Sequence, residues 1–113
     1  MKNDREIKRG DVYYIFPDDN TTGSEQRSGR PGLVVSNNRN NRYSSVMEVV
    51  YITKQDKKDL PTHVKICLSG VNSTVLCEQV DSVSVKRIGN YMGHVNYRDL
   101  TQINKALSIS LGL

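Results

Sequence analysis

Short apolar runs alternate with polar, turn-rich breaks along most of this chain, and that rhythm predicts strands. The first runs from Asp11 to Phe16 (DVYYIF), rich in β-branched and aromatic residues and closed by the turn run Pro17-Asp18-Asp19-Asn20. A second covers Gly32 to Ser36, and the asparagine-rich stretch Asn37 to Ser44 (NNRNNRYS) reads as a loop. Ser45 to Thr53 (SVMEVVYIT) gives a long third strand, followed by a charged loop from Lys54 to Leu60 (KQDKKDL). Thr62 to Leu68 places Val64, Ile66 and Leu68 in alternation, as in a strand with one wet face. Gly70 begins a turn, Thr74 to Val80 supplies another strand followed at once by Val83-Ser84-Val85, and Tyr91 to Val95 predicts a last short one.

Only the end of the chain has helical periodicity. Leu100, Ile103, Leu107 and Leu111 fall at i, i+3, i+7 and i+11, one apolar stripe. Asn96 is placed to cap the helix, Asp99 stands three residues on in a variant of the capping box, and Gly112 marks the end. A succession of short strands with one terminal helix predicts a mainly β (α+β) fold, a small, strongly bent antiparallel sheet or barrel. Nothing suggests βαβ repetition. Barrels of this size carry their sites on rim loops or in a groove shared with a partner subunit.

Composition adjusts this picture only slightly. A chain of 113 residues, 36% hydrophobic and 25% charged, is read as one globular domain over 1–113. No apolar run approaches the ~20 residues needed to span a bilayer and MKNDREIKRG has no apolar leader core, so a cytoplasmic location is expected. Net charge is +4, and between Arg27 and Arg42 four arginines occur with no acidic residue. Such a stretch is either a phosphate-tracking surface or a solvated loop.

Candidate chemistry narrows by exclusion. Cys67 and Cys77 lack metal spacing and predict two reduced, partly buried thiols. His63 and His94 have no partner at ligand spacing, and the GxGxxG, GxxxxGK[ST] and GxSxG fingerprints are absent, so no metal and no cofactor is expected. The two histidines could form an acid–base pair on an RNA 2′-hydroxyl, or could be surface residues after turns. The most distinctive segment is GSEQRSGRPGLVVSN, residues 23–37. Glycines free its backbone, Pro31 then pins it, and Arg30 stands at the junction. Gly23 to Gly29 reads as a flap over a groove, with Arg30 on the rigid side of the boundary and Arg27 on the mobile side.

The pieces RGDVYY (9–14), GSEQ (23–26), GRPGLVVSN (29–37), VYIT (50–53), LPTHVKI (60–66) and CEQV (77–80) together resemble the MazF/PemK family, toxins of type II toxin–antitoxin systems. Their order covers nearly the whole chain. The resemblance implies an SH3-like or CcdB-like antiparallel β-barrel with a C-terminal α-helix, forming a homodimer. It also implies a metal-independent, sequence-specific endoribonuclease that cuts single-stranded RNA to leave a 2′,3′-cyclic phosphate and a 5′-hydroxyl. A small acidic, MazE-like antitoxin would hold it silent by competing for the basic groove. By the same resemblance Arg30 and Thr53 are catalytic, and Ser24, Asn37, Leu60, Glu78 and Gln79 contact RNA. Arg27-Ser28-Gly29 departs from the family pattern, in which GSEQ is followed by Gly or Ala and then Gly. Arg27 is therefore expected to bind or steer RNA.

Elementary chemistry supports part of that assignment. Transfer to a 2′-oxygen needs a proton removed from the 2′-hydroxyl, one delivered to the 5′-oxygen, and stabilisation of phosphorane charge. Arginine suits the third role, since its planar fork matches phosphate oxygens and stays charged, whereas a pKa above ~12 makes it a reluctant base. Thr53 would hold a phosphate oxygen through its hydroxyl. Glu78 is either the missing base or an acceptor for a base edge. Tyr43 and Lys54, Lys57 and Lys58 are further RNA-contact candidates. Two alternatives remain at this level: a toxin of the same fold that binds a protein target such as gyrase, and a noncatalytic SH3-like module. The latter would need a denser aromatic groove.

Overall fold

A computed structural model describes residues 6–18 and 29–113. Six strands, β1 (Asp11–Ile15), β2 (Arg30–Val34), β3 (Val46–Thr53), β4 (His63–Leu68), β5 (Val71–Ser84) and β6 (Ile88–His94), form one sheet in the order β4-β5-β3-β2-β1-β6. Every pairing is antiparallel. Two helices complete the described residues, α1 (Asn38–Tyr43) and α2 (Tyr97–Leu111).

The sheet buries both faces, which explains why DVYYI reads as a nearly continuous apolar run. Val12, Leu33 and Val50 point into one core with Ile66, Val75, Ile103 and Leu107. Their chain neighbours Tyr13, Val34 and Val49 point into a second with Ile15, Met47, Val83 and Ile88. Helix α2 covers the first core through Ile103, Ala106 and Leu107, while Leu111 at the end of the stripe stays exposed. Its capping is as the sequence predicts. The Asn96 side chain accepts from the Asp99 amide at 2.8 Å, and Gly112 turns left-handed at φ 73°.

Strand β4 and strand β6 are the two edges, and the sheet is not a closed barrel. It curls so far that the edges meet at one end. Ser69 Oγ donates to the Met92 carbonyl at 3.2 Å, and a Cβ on Gly93 would stand 3.2 Å from the Leu68 side chain.

Two elements differ from the sequence expectation. Asn37 to Ser44 is not a loop throughout, because Asn37 caps a short helix by accepting from the Asn40 amide at 2.8 Å. Asparagine is a poor helix interior but a strong cap, and here the cap decides. The predicted pieces Thr74–Val80 and Val83–Val85 are one strand, β5, that carries an irregularity and ends in a single 3₁₀ turn, Val85–Arg87. Cys77 is buried as expected, but Cys67 is exposed, since it occupies a wet position of β4 between Ile66 and Leu68.

Candidate functional site

Gly29 and Pro31 fix the backbone on either side of Arg30. The Gly29 amide donates to the Tyr14 hydroxyl at 2.9 Å, and a Cβ there would collide with the Ile15 carbonyl. Only glycine fits that approach. Pro31 stands opposite Tyr14, and Arg30 opposite Ile15, in the β1–β2 ladder. The arginine thus enters the sheet from a clamped start.

The exposed Arg30 side chain then makes two contacts. Its guanidinium carbon lies 4.0 Å from the centroid of the Tyr51 ring, and Nη1 donates to Gln79 Oε1 at 3.0 Å. Tyr51 is buried, and its hydroxyl donates to Asp81 Oδ2 at 2.6 Å. Burial, and then the bond to Asp81, push the Tyr51 phenol up to about 12. Among the described residues the guanidinium uses one N–H on Gln79, so most of its fork remains available to an anion.

Gln79 and Glu78 reach this place because of the irregularity in β5. Val50 pairs with Val80, but the next residue, Tyr51, pairs with Leu76. Cys77, Glu78 and Gln79 are therefore left without partners on β3, and the Cys77 amide turns to the Thr62 carbonyl at 2.9 Å. Glu78 is held from the β4 side, accepting from Thr62 Oγ1 at 3.0 Å and facing His63 Nε2 at 3.0 Å. Partial burial raises its carboxyl, but hydrogen bonds from His63, its own backbone amide and Thr62 outweigh that and leave it below the usual glutamate range. His63 Nδ1 faces the Lys58 carbonyl at 2.8 Å. Through its two ring nitrogens His63 ties the Lys54–Leu60 loop to Glu78.

Thr53 ends β3 opposite Thr74 of β5. Its Oγ1 accepts from the Gln55 amide at 3.2 Å, which leaves the hydroxyl proton available. Continuing the β2–β3 register from Gly32 opposite Tyr51 carries Arg30 to the position opposite Thr53. An open cleft of ≈ 550 Å³, lined in part by Lys54, Gln55, Lys65 and Thr74, begins beside it.

The residues singled out from sequence divide into three sets. Arg30 and Gln79 are joined by a hydrogen bond across β3, and Thr53 lies at the register position opposite Arg30. Glu78 is next to Gln79 in the unpaired part of β5, and Leu60 is exposed on the loop that His63 fastens. Asn37 lies beyond the opposite end of β2, where it caps α1. Ser24 and Arg27, with nearly all of the 23–29 flap, lie outside the described residues. Tyr43 is 78% exposed. The two histidines are not a pair, because His94 Nδ1 is bonded to Asp11 Oδ1 at 2.7 Å in a separate cluster. Sequence reading missed Tyr51 and Asp81. The only local signal for Tyr51 was its place two residues before Thr53, on the same strand face.

The fold is thus a curled antiparallel sheet with one packed terminal helix, and the site is an exposed arginine with unused donors at the start of a strand. The family model describing the PemK-like, MazF-like toxin of type II toxin–antitoxin systems matches residues 8–111. The chain belongs to that family. It is 38% identical to endoribonuclease EndoA of Bacillus subtilis (strain 168), covering 95% of this chain and 96% of the relative. It is 33% identical to endoribonuclease MazF of Staphylococcus saprophyticus, covering 95% of this chain and 92% of that one. Among solved structures, an endoribonuclease in complex with its cognate antitoxin from Mycobacterial species is 29% identical and superimposes with a TM-score of 0.79, over 95% of this chain and 96% of that one.

Proposed function

We propose that this chain is the toxin of a type II toxin–antitoxin pair and acts as a metal-independent, sequence-specific endoribonuclease on single-stranded RNA. The observation that carries the reading is the Arg30 guanidinium, clamped at its backbone and braced by Tyr51 and Gln79, with its remaining N–H groups unused among the described residues. In the reaction the 2′-oxygen loses its proton and bonds to phosphorus, the P–O5′ bond breaks, and the 5′-oxygen takes up a proton. The products are a 2′,3′-cyclic phosphate and a 5′-hydroxyl. Arg30 stabilises the charge gathering on the phosphorane oxygens, and Thr53 donates its hydroxyl to one of them.

Glu78 presents an ionised carboxylate near this place, held by Thr62 and His63. A carboxylate fixed by two side-chain donors suits acceptance of a base-edge N–H, and we assign it to base recognition with Gln79 and Leu60. Ser24, Arg27 and Asn37 are proposed as further RNA contacts, Asn37 at the far end of β2. The whole chain works as one domain, in a cytoplasmic homodimer, and an acidic MazE-like antitoxin covers the basic groove. Among the described residues no helix is long and apolar enough to cross a membrane. The antitoxin complex of a structural relative supports that partner, and relatives named as endoribonucleases do not favour the protein-target alternative.

The test is cleavage of a mixed-sequence RNA in excess EDTA by the wild type, Arg30→Ala and Thr53→Ala. Cleavage by the wild type is expected, with both variants impaired. An intact RNA after incubation with folded wild type overturns the nuclease reading. Undiminished cutting by Arg30→Ala overturns the mechanism.

A further inference from the structure

Arginine on a surface strand is a poor electrostatic catalyst unless something holds its plane. Four side-chain torsions separate the guanidinium from the backbone that Gly29 and Pro31 fix, and one hydrogen bond to Gln79 still allows the fork to turn about that bond. The second constraint is the Tyr51 ring, 4.0 Å beneath the guanidinium carbon. That ring cannot follow the arginine if it moves. It sits in the middle of β3, 7% exposed, within the core formed by Tyr13, Ile15, Val49 and Val83. Its hydroxyl is tied at 2.6 Å to Asp81, which β5 supplies opposite Val49. Burial in a core accounts for an aromatic ring at this position. It does not account for a phenol whose hydroxyl is bonded to a carboxylate and whose face lies under a cation.

We propose that Tyr51 is a positioning residue for Arg30: its ring, locked by Asp81, is a platform that sets the guanidinium plane and aims the fork at the scissile phosphate. The proposal rests on the endoribonuclease reading and adds a residue to it. Tyr51 does not touch the reacting atoms in this scheme. It acts through Arg30, and Asp81 acts through Tyr51. The carboxylate stands at the hydroxyl end of the ring, where it fixes the ring's orientation under the cation. The raised phenol pKa is consistent with a hydroxyl that stays protonated and bonded across the working pH range.

The test compares Tyr51→Phe and Tyr51→Leu, each made in the wild type and in Arg30→Lys, whose ammonium has no plane to orient. Kinetics use an oligonucleotide carrying a cut site mapped on mixed-sequence RNA. In the arginine background Tyr51→Leu should lower kcat by about tenfold to a hundredfold with KM nearly unchanged, because misaimed groups lose rate more than binding. Tyr51→Phe, which keeps the ring and the fold but frees it from Asp81, should lose a smaller factor. In the Arg30→Lys background neither change should matter further. A purely structural role predicts equal losses in both backgrounds, tracking the melting temperature, and that result overturns the proposal. So does an unchanged kcat in Tyr51→Leu.

A second readout separates this proposal from the activity. In the uncomplexed wild type the Arg30 Hε resonance should be displaced upfield by the Tyr51 ring current and lose that displacement in Tyr51→Leu. An undisplaced resonance in the wild type overturns the platform even if RNA is cut. A displaced resonance in a protein that cuts no RNA supports the platform and overturns the nuclease reading instead.

Discussion

Strands β1 and β2 lie between two charged clusters, one at each end, and the clusters differ in how much hydrogen-bonding capacity they keep. At one end Asp11 is buried and fully engaged. Its Oδ1 meets His94 Nδ1 at 2.7 Å, and its Oδ2 accepts from the Lys8 amide at 2.9 Å and the Tyr13 hydroxyl at 3.0 Å. At the other end Arg30 is exposed and uses one N–H on Gln79. An Asp–His pair looks more like an active site than a lone arginine does. Yet only the His94 ring of that pair is exposed, and the carboxylate, buried beneath it, spends its oxygens binding the N-terminal segment and β6 to β1, while the arginine faces outward with donors to give. Unused capacity on a rigid support, more than residue type, separates a site from a brace.

The largest expected contrast sets the two clusters against each other. Arg30→Ala should cut RNA cleavage by about 10²–10³-fold, the scale of losing one preorganised donor, and leave the melting temperature almost unchanged. Asp11→Ala should do the reverse. It removes the Asp11 acceptor from the Tyr13 hydroxyl, the Lys8 amide and the His94 ring, a loss of about 1–3 kcal/mol, and the protein that remains folded should still cleave. Thermal melts beside cleavage rates check both, and a severe kinetic defect in folded Asp11→Ala would break the comparison.

Gly29→Ala should join the two effects, because the new Cβ collides with the Ile15 carbonyl and the adjustment is passed to the next residue, Arg30. A loss of about 1–3 kcal/mol in denaturant melts is expected, the cost of forcing atoms into a packed place, with a fall in cleavage beyond the unfolded fraction.

Titration sharpens the comparison further. Tyr51 is raised from 10.0 to about 12, so between those values the folded state holds a proton that the unfolded state has lost. Its contribution to stability is complete below pH ~10 and is lost as pH rises through about 12. Tyrosinate absorbance should therefore show a late step near pH 12, absent in Tyr51→Phe. Glu78 has the opposite sign. Its lowered carboxyl contributes stability above the ordinary glutamate value of ~4.3, and that contribution disappears as pH falls through the depressed value. His63→Ala removes one of its donors and should move the Glu78 resonance titration upward.

The smallest effect concerns the thiols. Burial, and then the charge of Glu78, push Cys77 up to about 12, whereas Cys67 is exposed on β4. Iodoacetamide should label Cys67 in the native protein and Cys77 only on unfolding, with little effect of Cys67 labelling on the melting temperature.

What the sequence determined by itself was local. Alternation and β-branched runs predicted the positions of the strands, a 3.6-residue stripe with Asn96 and Gly112 predicted α2, and glycine before Arg30-Pro31 marked a constrained junction. Each signal spans a few residues and depends on backbone preferences that act before any fold exists. What only the tertiary structure decided was pairing. Arg30 meets Gln79 across 49 positions and Tyr51 meets Asp81 across 30, and the unpaired stretch Cys77–Gln79 that allows the first is a property of the β3–β5 register. His63 joined Glu78 and His94 joined Asp11 for the same reason. Spacing along the chain carries no information about which strand lies alongside which, so the two histidines could read as a pair until the sheet separated them.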